Sequence, residues 1–283
     1  MFQVMTYDWI FIHREALPVG PPILEWIVAR VMKKRIIYDF DDAIWIPNTS
    51  KENNWMAWIK YPHKVGTICR LSYRVSVGNP YLADYARQFN PRVIINPTTI
   101  DTVNHHYPRT TREHETLTIG WTGTHSTLRY MDWLRGVIAK ISEQYPQVHW
   151  LIIADRPPTP AIPNVEFVTW SKETEIDDLA RIDIGVMPLH ADQWSEGKCG
   201  LKALQFMALA KPVLASPVGV NKSIIEHGVN GFLCQQEPEW IESLELLIGD
   251  PSLRGQLGAA GRTKVQDHFS VQSNASTFLS LFL

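Results

Sequence analysis

Residues Glu196 to Gly219 read Glu-Gly-Lys-Cys-Gly-Leu-Lys-Ala-Leu-Gln-Phe-Met-Ala-Leu-Ala-Lys-Pro-Val-Leu-Ala-Ser-Pro-Val-Gly. The stretch predicts a glycine-punctuated loop, a helix of about three turns, a short buried strand and a second glycine turn. Pro212 is expected to end the helix, because proline has no N–H to continue the ladder. On a helical wheel Lys198, Lys202 and Gln205 fall on one face, and Leu201, Leu204 and Ala208 continue round to an apolar one. Lysines in a first helical turn are unfavourable beside N–H groups that already carry partial positive charge. An anion above those lysines and the backbone of Gly197 and Gly200 reverses the sign. The expected anion is a diphosphate; the alternative is a solvated lysine face on an ordinary amphipathic helix.

The pairs Glu196-Gly197 and Gly200-Leu201, then Gln205-Phe206-Met207-Ala208, Lys211-Pro212-Val213-Leu214-Ala215-Ser216 and Gly219, form a pattern that continues in His227-Gly228-Val229-Asn230-Gly231-Phe232-Leu233. It resembles the C-terminal domain of retaining GT-B glycosyltransferases of group 1 (glycosyltransferase family 4). The resemblance implies an α/β fold of two Rossmann-like domains facing a cleft, and sugar transfer from a nucleotide-diphosphate donor. It departs from the family pattern twice. Eight residues separate Glu196 from Gln205, where the family has seven between two glutamates. The second position is also Gln205, which can hydrogen-bond donor ribose hydroxyls without carrying charge.

The 283 residues, 45% hydrophobic and 20% charged, suit two globular domains. A net charge of -2 gives no reason to expect nucleic acid as a partner. Cys69, Cys199 and Cys234 form no CxxC pair and leave an odd thiol in any disulfide scheme, which suits a cytoplasmic setting. No apolar run reaches the length of a membrane span, and Asp8, Arg14 and Glu15 interrupt the N-terminal apolar stretch, so no signal peptide is expected.

Along the chain, strands are expected around Tyr7–His13, Ile36–Tyr38, Val75–Val77 and Val93–Ile95, with helices over Ile23–Met32 and Tyr81–Phe89 between them. Residues 1–109 then form a partial, acceptor-side Rossmann-like domain. Almost nothing precedes its first strand, which fits either a shortened domain or a late start. A polar linker leads to a boundary near Thr110. Residues 110–283 form the nucleotide-sugar domain, whose strands are expected from Leu117, His149, Val165, Ile182, Val213 and Phe232, with terminal helices over Pro238–Ile248 and Pro251–His268. The last helix is free to pack back on the first domain.

In doubly wound sheets ligands bind outside the carboxyl ends of the strands. Gly120, Thr122 and Gly123 follow one strand and allow backbone to approach a phosphate; a plain turn capped by Thr124 or Ser126 is the alternative. No Arg and Lys pair is evident there, so the resemblance leaves Lys198 and Lys202 to grip the donor phosphates. Trp170 and His190 are expected on the donor side, by stacking or packing, and Glu196 near the transferred sugar. Asp41 and Asp42 are expected to orient the acceptor hydroxyl or take its proton, with His13, Arg14 and Asp39 lining the same side. The Asp39-x-Asp41 spacing also suits a divalent cation, but the GT-B pattern implies no metal and no cofactor, the nucleotide-diphosphate sugar being substrate. A glycan or lipid-linked acceptor follows from the same resemblance. Trp55, Trp58, Lys60 and Lys64 make a segment suited to peripheral membrane contact at the inner face, or to packing within the first domain. Three alternatives stay open: a GT-B sugar-nucleotide epimerase, a metal-dependent transferase, and a non-catalytic partner subunit.

Overall fold

A computed structural model describes residues 2–17, 19–46, 61–109 and 116–283. The segment with Trp55, Trp58 and Lys60 and the boundary at Thr110 lie outside these residues.

The chain forms two compact units. Unit 1 draws on Met1–Thr98, Ala191–Cys199 and Asn274–Leu283, and unit 2 on Thr99–His190 and Gly200–Ser273. The units therefore part about ten residues before the expected boundary. The reason is local: Ile100 already bridges to Ser270, and the turn from Asp101 to His106 is held by Arg262, which donates to the carbonyls of Thr102 and His106.

Unit 1 carries a four-stranded parallel sheet of β1 (Trp9–His13), β2 (Arg35–Phe40), β3 (Arg74–Val77) and β4 (Val93–Ile95), in that spatial order. The crossover after β1 runs through α1 (Ile23–Trp26), which continues as a π-helical turn over Ile27–Val31. The next two run through α2 (Lys64–Leu71) and α3 (Pro80–Arg87). Asn79 caps α3 by accepting the Leu82 N–H at 2.9 Å, and Pro80 fills the first helical position, where its missing N–H costs nothing.

Unit 2 is built on β5 (Thr118–Gly123), β6 (His149–Ala154), β7 (Val165–Thr169), β8 (Ile184–Met187), β9 (Val213–Ala215) and β10 (Phe232–Leu233), in the parallel order β10-β9-β8-β5-β6-β7. Sequence order reverses at β5, so β5 and β8 flank the switch point where such sheets leave a crevice. Successive residues of β6 feed opposite layers. Trp150 and Ile152 join the core formed with α5 (Arg135–Gln144) and α10 (Glu237–Gly249). Leu151 and Ile153 join the core formed with α6 (Glu175–Ala180) and α8 (Leu201–Ala208). Helices on both faces, the short α4 (Arg129–Asp132) and α9 (Asn221–Ile224) among them, explain why these strands read as continuous apolar runs.

Helix α8 stops before Pro212 acts. Ala210 takes a left-handed backbone (φ 57°), and the Lys211 N–H returns to the Phe206 carbonyl at 3.0 Å. Against this turn packs α11 (Pro251–His268). A Cβ on Gly258 of α11 would lie 2.0 Å from the Ala210 carbonyl oxygen, whereas one on Gly255 would meet nothing within 4 Å.

The two glycines therefore predict opposite outcomes in one helix. Gly258→Ala should cost about 1–3 kcal/mol by overpacking against backbone. Gly255→Ala should add about 0.4–1 kcal/mol by restricting the unfolded chain. Thermal unfolding of both variants checks this.

Candidate functional site

In unit 2 the loop after β5 is tied to the loop after β6. Thr124 caps the turn His125–Thr127, the Thr127 hydroxyl accepting the Thr124 N–H at 3.1 Å. His125 binds the Asp155 carboxylate through its N–H at 2.5 Å and its Nδ1 at 2.6 Å, which holds the Asp155 carboxyl below its usual range. A cavity of about 440 Å³ opens beside these loops, lined by His125, Arg129, Arg156 and Asp132 among others. Arg129 and Arg156 are the cations sequence reading did not find here; neither belongs to a motif, and only the turn brings them together.

Gly123 ends β5, and Lys202 of α8 crosses it. A Cβ on Gly123 would lie 2.8 Å from the Lys202 Cε, and the Lys202 ammonium stands 5.6 Å from the Trp121 ring centroid. Lys202 is half-buried, its stem on glycine and its head over indole. The remaining small residues of this strand have other reasons. Gly120 lies within β5, where a Cβ would meet Ile182 Cδ1 at 2.4 Å, and Thr122 is buried. His190 is exposed and leans on the Tyr130 ring at 5.3 Å.

Gln205, unlike its half-buried wheel neighbour Lys202, is buried. It is 7% exposed; its Nε2 donates to Glu175 Oε1 at 3.1 Å and lies 3.4 Å from His106 Nε2. The Trp170 indole N–H donates to the same Glu175 oxygen at 3.2 Å. Position 205 thus lacks a carboxylate, but one arrives from α6. Nothing in the sequence signalled Glu175 or His106, because the contact joins residues far apart in the chain.

Lys198 is not on the helix with Lys202 and Gln205. Gly200 adopts φ 74° and breaks the path, so α8 starts at Leu201, and Lys198 belongs to unit 1. There its ammonium donates to Asp42 Oδ1 at 2.8 Å and stands 5.2 Å from the Trp194 ring. Glu196 closes the short helix α7 (Gln193–Glu196); burial, and then the Glu196 charge, raise the Tyr81 hydroxyl pKa. Gly197 is needed for packing: a Cβ would lie 2.7 Å from that of Ala43, and its carbonyl accepts Asn79 at 3.1 Å. Cys199 donates its thiol to the Asp41 carbonyl at 3.1 Å, and burial beside two carboxylates pushes its pKa up to about 12.

At the carboxyl ends of β1, β2 and β3, Ser76 donates to Asp39 Oδ1 at 2.6 Å, while Asp39 Oδ2 binds His13 Nδ1 at 2.7 Å. With the proton assigned to Nδ1 for that bond, Nε2 lies 3.9 Å from Asp41 Oδ1. Arg14, held at φ 61°, donates to Asp41 Oδ1 at 2.9 Å and Asp42 Oδ2 at 3.0 Å. The acceptor-side residues expected from sequence therefore form one cluster, with a different division of labour. Asp41 and Asp42 pair with cations, Asp39 orients a histidine, and His13 is the exposed member of the cluster.

With this geometry in view, residues 116–250 match the family described as Glycosyl transferases group 1. The fold is close to that of GT-B glycosyltransferases. Sucrose-phosphate synthase from Thermosynechococcus elongatus superposes with a TM-score of 0.72 at 15% identity, covering 98% of this chain and 73% of that one. Anabaena HepE, solved in complex with UDP and glucose, gives a TM-score of 0.72 at 16% identity, covering 99% of this chain and 79% of its own. The human alpha-1,3/1,6-mannosyltransferase ALG2 is 37% identical over 75 residues, which are 26% of this chain and 18% of the human one. The alignment thus spans about a fifth of that relative. Lys202, Gln205 and Glu175 all fall inside the matched group 1 stretch.

One titration follows from the buried network. Burial, and then the charge of His105, lower the pKa of His106 from its ordinary 6.5. A lowered histidine favours the folded state while neutral, so its contribution is complete above pH 6.5 and is lost as pH falls toward the folded value. The thermal midpoint should drop between about pH 7 and pH 5, and His106→Gln should flatten that part of the profile.

Proposed function

We propose that this chain is a glycosyltransferase that moves a sugar from a nucleotide-diphosphate donor to an acceptor hydroxyl in glycan or cell-surface polysaccharide biosynthesis. Unit 2 takes the donor and unit 1 supplies the acceptor-side groups. The observation that carries the reading is Lys202, held over Trp121 and Gly123 at the carboxyl end of β5, beside the switch point of the sheet. The group 1 match over the same residues supports it, as does the UDP named with the structurally similar HepE. Retention of anomeric configuration is proposed on the family resemblance. The proposed setting is the cytoplasmic face of a membrane that carries a glycan or lipid-linked acceptor. Among the described residues no helix is long and apolar enough to cross a membrane.

In this mechanism the Lys202 ammonium meets negative charge as it builds on the leaving diphosphate, where preorganised electrostatic help is worth most. Glu175, oriented by Gln205 and Trp170, receives sugar or ribose hydroxyls; the exposed face of Trp170 stacks on the base. His13 receives the acceptor hydroxyl, its other nitrogen fixed by Asp39 and Ser76. Lys198 is a positioning residue that neutralises Asp42 rather than gripping phosphate.

Thermal shift against UDP-, GDP- and ADP-sugars should single out one nucleotide by a raised midpoint; no shift with any of them contradicts donor binding. With that donor, Lys202→Ala should lower turnover by about 10²-fold or more, while an unchanged rate at saturating donor removes Lys202 from its role. Proton NMR of the product's anomeric signal tests retention.

A further inference from the structure

The run Pro22-Ile23-Leu24-Glu25-Trp26-Ile27-Val28 carries one glutamate among apolar residues. A lone glutamate on a surface helix normally turns its carboxylate to water. Here it turns inward: Glu25 is 1% exposed. Its Oε1 accepts the Ala16 N–H at 3.0 Å, while its Oε2 is buried with no hydrogen-bond partner. The polar groups packed in the same part of unit 1 do not supply one. Lys64, also buried, pairs with Glu15 Oε2 at 2.6 Å and donates to the Leu17 carbonyl at 2.7 Å. The Tyr38 hydroxyl is buried and likewise unpartnered. Two carboxylates are thus set against one ammonium, and among the described residues no cation pairs with Glu25.

Glu25 borders a cavity of about 470 Å³ between β1 and α1, a volume typical of small-molecule sites. The walls are hydrocarbon, from Ile10, Phe11, Leu24 and Val28, with Glu15 and His13 on the same cavity. Glu25 and Val28 are three residues apart, which sets them on one side of the helical path. A buried carboxylate without donor or counter-charge costs free energy, and apolar walls are better covered by hydrocarbon than by water. A molecule with an ammonium at one end and an apolar body at the other meets both needs. An alcohol would donate to Oε2 but leave the charge unbalanced. An anion would meet two carboxylates, and a divalent cation would find too few oxygens among these walls.

We propose that this cavity of unit 1 binds a small apolar amine, its ammonium donating to Glu25 Oε2 and its aliphatic or aromatic body lying against Ile10, Phe11, Leu24 and Val28. His13 belongs both to the cavity wall and to the cluster with Asp39, so the bound amine lies beside the acceptor-side groups. The proposal goes beyond the transfer reading and does not rest on it.

Three probes of nearly one shape test it: phenethylamine, phenethyl alcohol and phenylacetate, each titrated into the full chain by saturation-transfer NMR. The amine is expected to bind about tenfold or more tightly than the alcohol, the gain from a hydrogen bond to a charged group, and phenylacetate is expected not to bind. Glu25→Gln should bring the amine down to the alcohol's affinity and leave the alcohol unchanged. Val28→Phe, at a half-buried position, fills the cavity and should abolish binding of both, which keeps the test decisive if Glu25→Gln does not fold. No binding of the amine, equal affinity for amine and alcohol, or amine binding that either folded variant retains overturns the proposal. Donor thermal shift on Val28→Phe should match the parent protein, so a failure of the transfer reading appears there and not in the amine titration.

Discussion

The candidate chemistry depends on a cation held over an aromatic ring at the end of a buried strand. Lys202 leaves α8 beside β5, lays its stem across Gly123 and sets its ammonium over Trp121. A Cβ at position 123 would lie 2.4 Å from the Trp121 ring and 2.8 Å from the lysine stem, so any side chain there would displace both. The doubly wound sheet adds the setting, because β5 and β8 flank the point where sequence order reverses.

The acceptor-side cluster obeys a different constraint: too many charges for one strand end. Three aspartates within four residues would repel, and unit 1 disposes of them separately. Arg14 spans Asp41 and Asp42, Lys198 comes from a distant part of the chain to Asp42, and Asp39 is spent on Ser76 and His13. The left-handed backbone at Arg14 is part of this arrangement, since it brings the Arg14 N–H to the Asp39 carbonyl at 2.7 Å. What remains exposed is the His13 imidazole, with one nitrogen on Asp39 and the other 3.9 Å from Asp41.

The strands of both units were legible because burial on two faces turns them into uninterrupted apolar runs, and Pro251–His268 was legible through its proline start and length. The helices Lys64–Leu71, Gln193–Glu196 and Val271–Ser280 were not, being short or weakly patterned. Lys198 was misplaced because a helical wheel cannot show that Gly200 has turned left-handed between it and Lys202. Gln205 was placed by motif, but its environment depends on Glu175 and His106, which approach from other elements. Long-range pairing of this kind leaves no local trace.

The central claim concerns phosphate rather than nucleoside recognition at Lys202, and calorimetric titration separates the two. The preferred nucleoside diphosphate and its parent nucleoside are titrated into the protein and into Lys202→Met, which keeps the stem and removes the charge. The account predicts that the diphosphate loses affinity by tenfold or more, about 1.4 kcal/mol, while the nucleoside binds both proteins alike. Equal affinity of the diphosphate for both proteins would contradict it.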